Sequence, residues 1–435
     1  MATTSVSPQV VKPKSLHCPN CGGAVEMRGF AHTLSVVCPN CLSVLDATTP
    51  EFKILQTFQN KERIQPKIPL GSRGKLAGTL YEVIGFQVRD VYSSDDVYSW
   101  DEYLLFNPYK GFRYLTEYQG HWNFVRVQTA LPVTTGVGIR PSAIFQGRRF
   151  RHFDRMTART GYVLGEFPWQ VRVGECVEDS DYVSPPFMLS SESTSGEVTW
   201  SLGEYTPGQE IWKAFSQPGS PPAPSGIFAN QPSPYAGKPG AAWRLWLWLN
   251  VALAAIALLF IMRSANQQVF DNYYVFSPGA RAEPAFVTPT FDLAGRDSNI
   301  KLSIRTDLNN NWAYFGFALI NEGTGQTFDF GREVSYYRDS DGSEGSPNNS
   351  VVIPRVPSGK YYLRIEPEMD SKGYQSVRYE IDVRRDVPNY ALFWIAALLL
   401  LIPPIYTTVR ASGFESARWR ESDYAPATRS GGGDD

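Results

Sequence analysis

Four of the five cysteines in the 435-residue chain lie near its start, in two identical CPNC tetrapeptides. Their spacing is Cys18-x2-Cys21-x16-Cys38-x2-Cys41. Two such knuckles can bring four thiolates to the corners of a tetrahedron around zinc, while the intervening hairpin joins them. We therefore predict a zinc ribbon over residues 16–50, with these four cysteines as the metal ligands.

The zinc in this ribbon is expected to be structural. Four cysteine ligands complete the coordination sphere and leave no position for water or substrate. A ribbon of this size also needs the ion in order to fold. A pair of redox-active dithiols is the alternative for the same cysteines. The fifth cysteine, Cys176, lies alone in a strand-like stretch, so we expect a packed small residue rather than a nucleophile.

Residues suited to acid–base chemistry are few outside the ribbon. Only four histidines occur, two of them beside or between the cysteine knuckles, and no GxSxG, GxxxxGK[ST], GxGxxG or HExxH motif is found. The remaining candidates are His121, His152 and the acidic pair Asp101 and Glu102. We interpret them as turn and strand-end residues. An enzyme with an unrecognised site around them is the alternative.

The charge balance argues against a nucleic-acid binder. Lys and Arg number 41 against 43 Asp and Glu, a formal net charge of −2. Nucleic-acid-binding domains usually carry a strongly basic surface, and the first 50 residues hold only three basic side chains. We therefore expect no nucleic-acid partner. Binding of nucleic acid or the ribosome by the ribbon is kept as an alternative function.

Two apolar segments are long enough to cross a bilayer. Residues 245–262 carry no charge, and as a helix they would span about 27 Å, close to the thickness of the hydrocarbon layer. Three tryptophans crowd the start of this segment, as in an interfacial aromatic belt. Residues 390–409 form the second uncharged segment, where Pro403 and Pro404 predict a kink. A buried core helix is the alternative for the first segment.

The remaining segments divide around these two predicted transmembrane helices. Residues 66–215 alternate apolar and polar side chains between turns, which predicts a β-barrel or sandwich-like domain. The same alternation over residues 270–387, in about seven short strands, predicts a β-sandwich. Residues 217–240 contain seven prolines and four glycines and predict a semi-extended linker. Residues 410–435 are expected to form a disordered tail.

The reduced thiols and the N-terminal sequence predict the orientation. Two spans place both termini on one side, and MATTSVSPQVVKPK lacks the apolar core of a signal peptide. Thiolate ligands persist in a reducing compartment. We therefore expect residues 1–242 and 411–435 to be cytoplasmic and residues 264–388 to face outward.

Several motifs resemble the bacterial DUF4178 family. They are IPLGSRGKLAGTLYEVIGF, SWDEYLLFNPYKGFRYL, GEFPWQVRVGE and DYVSPPFMLSSE, preceded by the ribbon. The resemblance covers roughly residues 16–215. It brings no catalytic residues, and it implies a membrane-linked context with phage-shock-type membrane-remodelling proteins as candidate partners.

The sequence thus predicts a mainly β, multidomain protein. A zinc ribbon and a cytosolic β domain would precede two transmembrane helices that enclose an extracytoplasmic β-sandwich. The expected function is that of a two-pass scaffold or sensor in the bacterial inner membrane, without enzymatic activity. Its cytosolic domains would bind a protein partner. Its outer domain would bind an envelope component or another copy of the chain.

Overall fold

The computed structural model describes residues 14–29, 32–57, 63–92, 97–135, 140–194, 196–278, 285–340, 342–369 and 376–425. The chain divides into two compact units. The first unit comprises Met1–Pro239 and Tyr406–Asp435, and the second comprises Gly240–Ile405.

The first unit is built from strands and one short helix. Its elements are β1 (Lys14–His17), β2 (Ala24–Met27), β3 (Ser35–Val37), β4 (Val44–Asp46), β5 (Ile54–Gln56), β6 (Arg73–Leu76), β7 (Thr79–Tyr92), β8 (Val97–Asn107), β9 (Gly111–Tyr118), β10 (His121–Gln128), β11 (Val133–Thr135), β12 (Ser142–Phe145), β13 (Arg148–Phe167), β14 (Cys176–Ser184), β15 (Phe187–Ser193), β16 (Val198–Thr206) and α1 (Gly208–Ala214).

Eight of these strands form a closed antiparallel barrel. The order is β13-β14-β15-β16-β10-β9-β8-β7, and β7 pairs back onto β13. The 20-residue strand β13 closes the barrel because its first part pairs with β14 and its later part with β7. Gly165 permits the close approach: its φ is +87°, and a Cβ there would lie 2.3 Å from the carbonyl oxygen of Ile84.

The ribbon is continuous with the barrel sheet. Strand β3 pairs with the end of β13, and β4 and β5 extend the same sheet outward. Val37 and Val44 of the ribbon share one buried cluster with Ile84 and Phe167 of the barrel. The cysteine-rich segment is therefore joined to the barrel by main-chain hydrogen bonds and by a common core.

The second unit places a β domain between apolar helices. Its elements, with the helix that continues into the first unit, are α2 (Lys238–Arg263), β17 (Gln267–Phe276), β18 (Phe286–Val287), β19 (Phe291–Leu293), β20 (Ser298–Thr306), β21 (Asn311–Asn321), β22 (Thr327–Arg338), β23 (Ser343–Ser346), β24 (Asn348–Val356), β25 (Gly359–Met369), β26 (Val377–Arg385), α3 (Ala391–Leu399) and α4 (Ile402–Trp419).

The β domain of this unit consists of two antiparallel sheets around one apolar core. One sheet has the order β17-β26-β20-β24; the other has β18-β25-β21-β22-β23, with β19 also on β25. Leu302 and Ile381 of the first sheet lie in the same buried cluster as Phe315 and Ile365 of the second. The alternating burial along β20 shows the period-2 pattern that predicted these strands. The mainly β, multi-sheet prediction is confirmed.

Two helices are long and apolar enough to span a membrane. They are Lys238–Arg263 and the combined helix Ala391–Trp419, with mean hydropathies of 2.4 and 2.0. The second is interrupted between α3 and α4, directly before Pro403 and Pro404. The prolines lie in the first turn of α4, where their missing N–H groups cost no intrahelical hydrogen bond.

Two predictions about the connecting segments are wrong. The Pro-rich segment predicted as a linker over residues 217–240 is docked on the barrel, where Asn230 is fully buried. The tail predicted as disordered from residue 410 continues α4 to Trp419, and Arg418 is only 1% exposed. A Pro-rich chain lacks a core of its own, but its carbonyls and side chains can still be bound by a neighbouring domain. Residues 426–435 lie outside the described part of the chain.

Candidate functional site

The structure brings the four predicted cysteine ligands together. The Sγ atoms of Cys18 and Cys41 are 3.7 Å apart, as are those of Cys21 and Cys38. All four ligand atoms lie within 4.8 Å of one another. A tetrahedron with metal–sulfur bonds of about 2.3 Å has sulfur–sulfur edges of roughly 3.8 Å. The cluster is therefore compatible with a metal ion held by four thiolates.

The two knuckles repeat one backbone conformation. In each, the first cysteine's amide donates to the carbonyl five residues later, at 2.8 Å from Cys18 and 3.0 Å from Cys38. The residue after each second cysteine is left-handed: Gly22 has φ +72° and Leu42 has φ +59°. Leu42 is a rare residue for this conformation, and its side chain lies in the cluster shared with the barrel. The second knuckle thus also contributes to the ribbon–barrel contact.

The electrostatics around the cysteines are uneven. Burial raises the pKa of the Cys38 thiol to about 12. Burial acts the same way on Cys41, but hydrogen bonds from Ser43 and Asn20 outweigh it and lower its pKa to about 6. Full ionisation of the set needs a nearby positive charge, which a bound metal ion would supply.

A buried glutamate fastens the ribbon hairpin to the barrel. Glu166, near the end of β13, is 2% exposed and accepts hydrogen bonds from Thr33 Oγ1 and the Gly29 amide, both at 2.8 Å, and from the amide of Arg28. Burial raises the pKa of Glu166 despite these donors. Sequence reasoning missed this residue, since a lone glutamate at a strand end carries no distinguishing pattern.

The barrel interior, called the lumen below, carries charged side chains that sequence reasoning also missed. They come from β7, β8, β14 and β15 and are Arg89, Glu102, Asp179, Asp181 and Glu192. Burial and, after it, the charge of Glu102 raise the pKa of Glu192, although β8 and β15 are not neighbours in the barrel. In the strand register Glu102 is paired with Gln87 of β7, and Glu192 with Asp179 of β14.

The lumen groups differ in how well they are hydrogen-bonded. Glu102 accepts hydrogen bonds from Gln87 Nε2 at 2.5 Å and from Trp100 Nε1 at 2.6 Å. Arg89 Nη2 lies 3.8 Å from Asp179 Oδ2, which is an ion pair but too long for a hydrogen bond. Within the described residues, Asp179 Oδ1 and the Nε and Nη2 atoms of Arg89 are buried without a hydrogen-bond partner.

The carboxyl groups of the lumen are shifted toward their neutral forms. Burial and the charge of Glu192 raise the pKa of Asp179 to about 9, against the opposing effect of Arg89. Burial raises the pKa of Asp181 to about 6, although Ser190 hydrogen-bonds to it. The lumen therefore holds more acidic groups than its own basic side chain can neutralise.

The two acidic candidates from the WDEY segment point in opposite directions. Glu102 faces the lumen, whereas Asp101 lines an outer cavity of about 530 Å³ with Lys67 and Glu117. Lys67 Nζ lies 2.6 Å from Asp101 Oδ2 and also contacts Glu117. Burial raises the pKa of Asp101 even though Lys67 pairs with it. Lys67, Asp101 and Glu117 thus form an ion triad, and Asp101 does not form a carboxylate dyad with Glu102.

The two candidate histidines hold the docked segments in place. The Nδ1 atom of His121 lies 3.0 Å from the Tyr205 hydroxyl, and its Nε2 lies 2.9 Å from the Ser225 carbonyl oxygen. The Nδ1 atom of His152 lies 2.9 Å from the Tyr424 hydroxyl. Burial lowers the pKa of both rings. The structure therefore places the four acid–base candidates at separate locations.

Cys176 is predicted to be a packed residue, but the structure exposes it. Its side chain is exposed at the start of β14. A cysteine is apolar enough to suggest burial, but at this strand end no neighbouring segment covers it in the described part of the chain.

The barrel corresponds to a known family. Residues 69–208 match DUF4178, a domain of unknown function, and all eight barrel strands fall within these bounds. The resemblance to DUF4178 is thus confirmed for the barrel, while the ribbon lies outside the match. No curated protein matches the sequence.

Solved structures offer weak likenesses. The insecticidal delta-endotoxin Cry8Ea1 from Bacillus thuringiensis is 7% identical, with a TM-score of 0.16 and coverage of 72% of this chain. This chain spans only 54% of the endotoxin. The infectious bursal disease virus Gt strain structure is 11% identical, with a TM-score of 0.18, and covers 71% of this chain and 70% of that one.

Proposed function

We propose that the protein is a two-pass scaffold or sensor of the bacterial inner membrane, with both termini in the cytoplasm. The ribbon and barrel bind a cytosolic protein partner, for which phage-shock-type membrane-remodelling proteins are candidates. The outer β-sandwich binds an envelope component or a second copy of the chain. The two apolar helices flanking that domain support this topology.

One observation carries the proposal: the segments adjoining both spans are fastened to the barrel. Asn230, eight residues before α2, donates through Nδ2 to Asn123 Oδ1 at 2.8 Å and to the Pro186 carbonyl at 2.9 Å. Arg418, at the end of α4, donates to the carbonyl oxygens of Ala229 and Gln231, each at 2.6 Å. Within the first unit, the segment before α2 and the end of α4 are therefore fixed to each other and to the barrel.

This arrangement favours transmission over capture by a flexible tether. A free Pro-rich linker would let the barrel sample a wide volume independently of the spans. A linker held by buried side chains instead stays on the barrel, as we expect of a sensor rather than of a tether.

The ion bound by the four cysteines is proposed to be structural zinc. Zinc prefers four thiolates in tetrahedral sites, and such sites leave no open position. Because β3 is hydrogen-bonded to β13, a folded ribbon also pairs the end of β13 that extends past its pairing with β7. The metal would thus stabilise the partner-binding surface rather than perform chemistry.

The outer β-sandwich offers a polar hollow to its ligand. A cavity of about 390 Å³ on the six-stranded sheet lies over Gly316 and Gly331, which oppose each other in register. Tyr314, Asp329 and Arg364 are among its lining residues. An envelope component with hydrogen-bonding groups would fit such a surface.

The test is crosslinking in native membranes followed by mass spectrometry, on the full chain and two variants. Arg418→Ala removes the buried guanidinium, and Arg420→Ala alters an exposed neighbour as the matched control. We expect the full chain and the control to crosslink to a common protein partner, and Arg418→Ala to lose or change it. A chain that crosslinks to no protein and stays monomeric contradicts the scaffold.

A further inference from the structure

The lumen is an interior with unbalanced charge. Four carboxyl groups and one guanidinium face it, from Glu102, Asp179, Asp181, Glu192 and Arg89. Arg89 is 6% and Asp179 7% exposed, so bulk water screens them poorly. An interior with this excess of acidic groups lowers the stability of the fold, because each buried charge must be paired or hydrogen-bonded.

Asp179 is the lumen carboxyl group that lacks a hydrogen bond, and the neighbouring Arg89 has two N–H groups without an acceptor among the described residues. The Oδ1 atom of Asp179 has no hydrogen-bond donor among the described residues, and its ion pair with Arg89 is stretched to 3.8 Å. A buried acceptor without a donor lowers the stability of the fold. An N–H donor with a positive charge, arriving from solvent, would satisfy both needs at once.

The spacing of the carboxylates argues for an organic cation rather than a metal ion. A bare divalent ion needs several oxygens within about 2.0–2.6 Å of itself. In the described part of the chain, the four cysteines are the one group of three or more ligand atoms within 4.8 Å of each other. Among the described residues, no three lumen carboxylates thus come close enough to hold one ion together, whereas a cation several atoms long can reach more than one of them.

The lumen is also open to solvent and partly aromatic. Glu192 is exposed, and Trp100 and Tyr114 are partly exposed. Burial and, after it, the charges of Glu192 and Glu102 raise the pKa of Tyr114 above its usual range. Indole and phenol faces attract ammonium and guanidinium groups through the cation–π interaction.

We propose that the lumen of the barrel binds a small organic cation, a protonated amine or guanidine, whose N–H groups donate to Asp179 and whose charge is balanced by Glu192 and Asp181. Arg89 then stays beside Asp179 and near Glu102 of the neighbouring strand β8. This site concerns the barrel alone and stands whether or not the chain crosses a membrane.

The test is isothermal titration calorimetry on the full chain in detergent with 1,5-diaminopentane, 1-aminopentane and pentylguanidine. Pentanoate and Mg²⁺ serve as the anion and metal controls. We expect the organic cations to bind and the controls not to bind. Asp179→Asn and Glu192→Gln should each weaken binding roughly tenfold or more, the loss of one charge-assisted hydrogen bond.

Glu178→Gln is the matched control variant, since Glu178 is adjacent on β14 and its side chain is 58% exposed, on the outside. It should bind like the unaltered chain, and circular dichroism should show all three variants folded. Glu192→Gln keeps the test valid if Asp179→Asn misfolds, because Glu192 is exposed. The proposal is overturned if no organic cation binds up to about 10 mM, if Mg²⁺ binds equally well, or if both lumen variants bind as tightly as Glu178→Gln.

Discussion

The two large β domains of this chain use their interiors in different ways. The sandwich joins both sheets through one apolar cluster, to which Phe315 and Tyr379 contribute rings 4.8 Å apart. The barrel divides its apolar residues among several clusters and keeps charged groups in its lumen. An apolar interior stabilises a domain. Charged groups in an interior lower its stability, so their presence indicates that they bind a ligand or a partner.

The contacts that stabilise the two domains differ as well. Around the barrel, side chains from distant segments make these contacts: the four cysteines cluster in the ribbon, and Arg418 binds the docked segment. The sandwich has no cysteine, and its two sheets share one apolar core. Substitutions in the first unit should therefore act by removing individual contacts. Substitutions in the sandwich should act by removing buried apolar volume.

The largest effect is expected from Cys38→Ser. Losing one thiolate removes most of the metal-binding free energy, which is about 10–16 kcal/mol for structural zinc sites. The variant should lose stoichiometric zinc and the ribbon fold, while the sandwich unfolds as before. Metal analysis by mass spectrometry and hydrogen exchange over residues 16–50 measure both. The matched control is Cys176→Ser, an exposed cysteine outside the cluster. Full zinc content in Cys38→Ser would contradict the four-thiolate site.

The next largest effect is expected in the sandwich core. Phe315→Ala leaves a cavity at a fully buried position and should lower the free energy of unfolding of this domain by about 3–5 kcal/mol. Val352→Ala, at a residue that is 48% exposed, is the control and should change it by less than about 0.5 kcal/mol. Calorimetric unfolding checks both values. Equal effects of the two variants would mean that the shared apolar cluster does not stabilise the domain.

The sequence predicted the features that depend on local pattern. The cysteine spacing identified the four residues that the structure clusters, and period-2 alternation identified the β domains. The apolar stretches identified both long helices, and the two prolines identified the interruption before α4. In each case the residues that matter are close together in the chain.

The missed features depend on strand pairing across the fold. Asp179 and Glu192 become lumen residues only because β13 pairs with both β14 and β7 and thereby closes the barrel. Nothing local distinguishes them from acids on an exposed strand face. The docked segment was missed for a related reason: its composition indicates a linker, while its partner Arg418 lies 187 residues further on from Gln231.

A smaller effect is expected from Arg418→Ala, which acts on the docked segments of the first unit. Removing the guanidinium leaves the carbonyls of Ala229 and Gln231 without their donor, a loss of about 1–3 kcal/mol. Hydrogen exchange should rise over residues 225–231 and 418–424 and stay unchanged in the ribbon. Arg420→Ala should leave all of these regions protected. If Arg418→Ala leaves exchange unchanged, the guanidinium does not hold the segments.

The sharpest distinction between the two interiors is expected from the pH dependence of Asp179→Asn, an effect that appears only as the pH rises. With a pKa raised to about 9 from an ordinary 3.8, Asp179 is neutral in the folded barrel near neutral pH. Its contribution to stability is complete below its unfolded pKa and is lost as the pH rises through about 9. The groups facing it are Glu192, Arg89, Asp181 and Glu102. These groups are unchanged in the variant.

Asparagine resembles the neutral carboxyl group in shape and cannot ionise. Thermal unfolding of the barrel should therefore show a Tm of Asp179→Asn close to that of the unaltered chain at about pH 4, near the unfolded pKa of 3.8, and a higher one at about pH 10. Glu178→Gln, on the outer face of the same strand, should show no such crossover. The sandwich, whose core contains no comparable carboxyl cluster among its described residues, should be indifferent to the Asp179 change at both pH values. A variant that is less stable than the unaltered chain at about pH 10 would mean that Asp179 is ionised and stabilised by Arg89, and the lumen would then be balanced without a ligand.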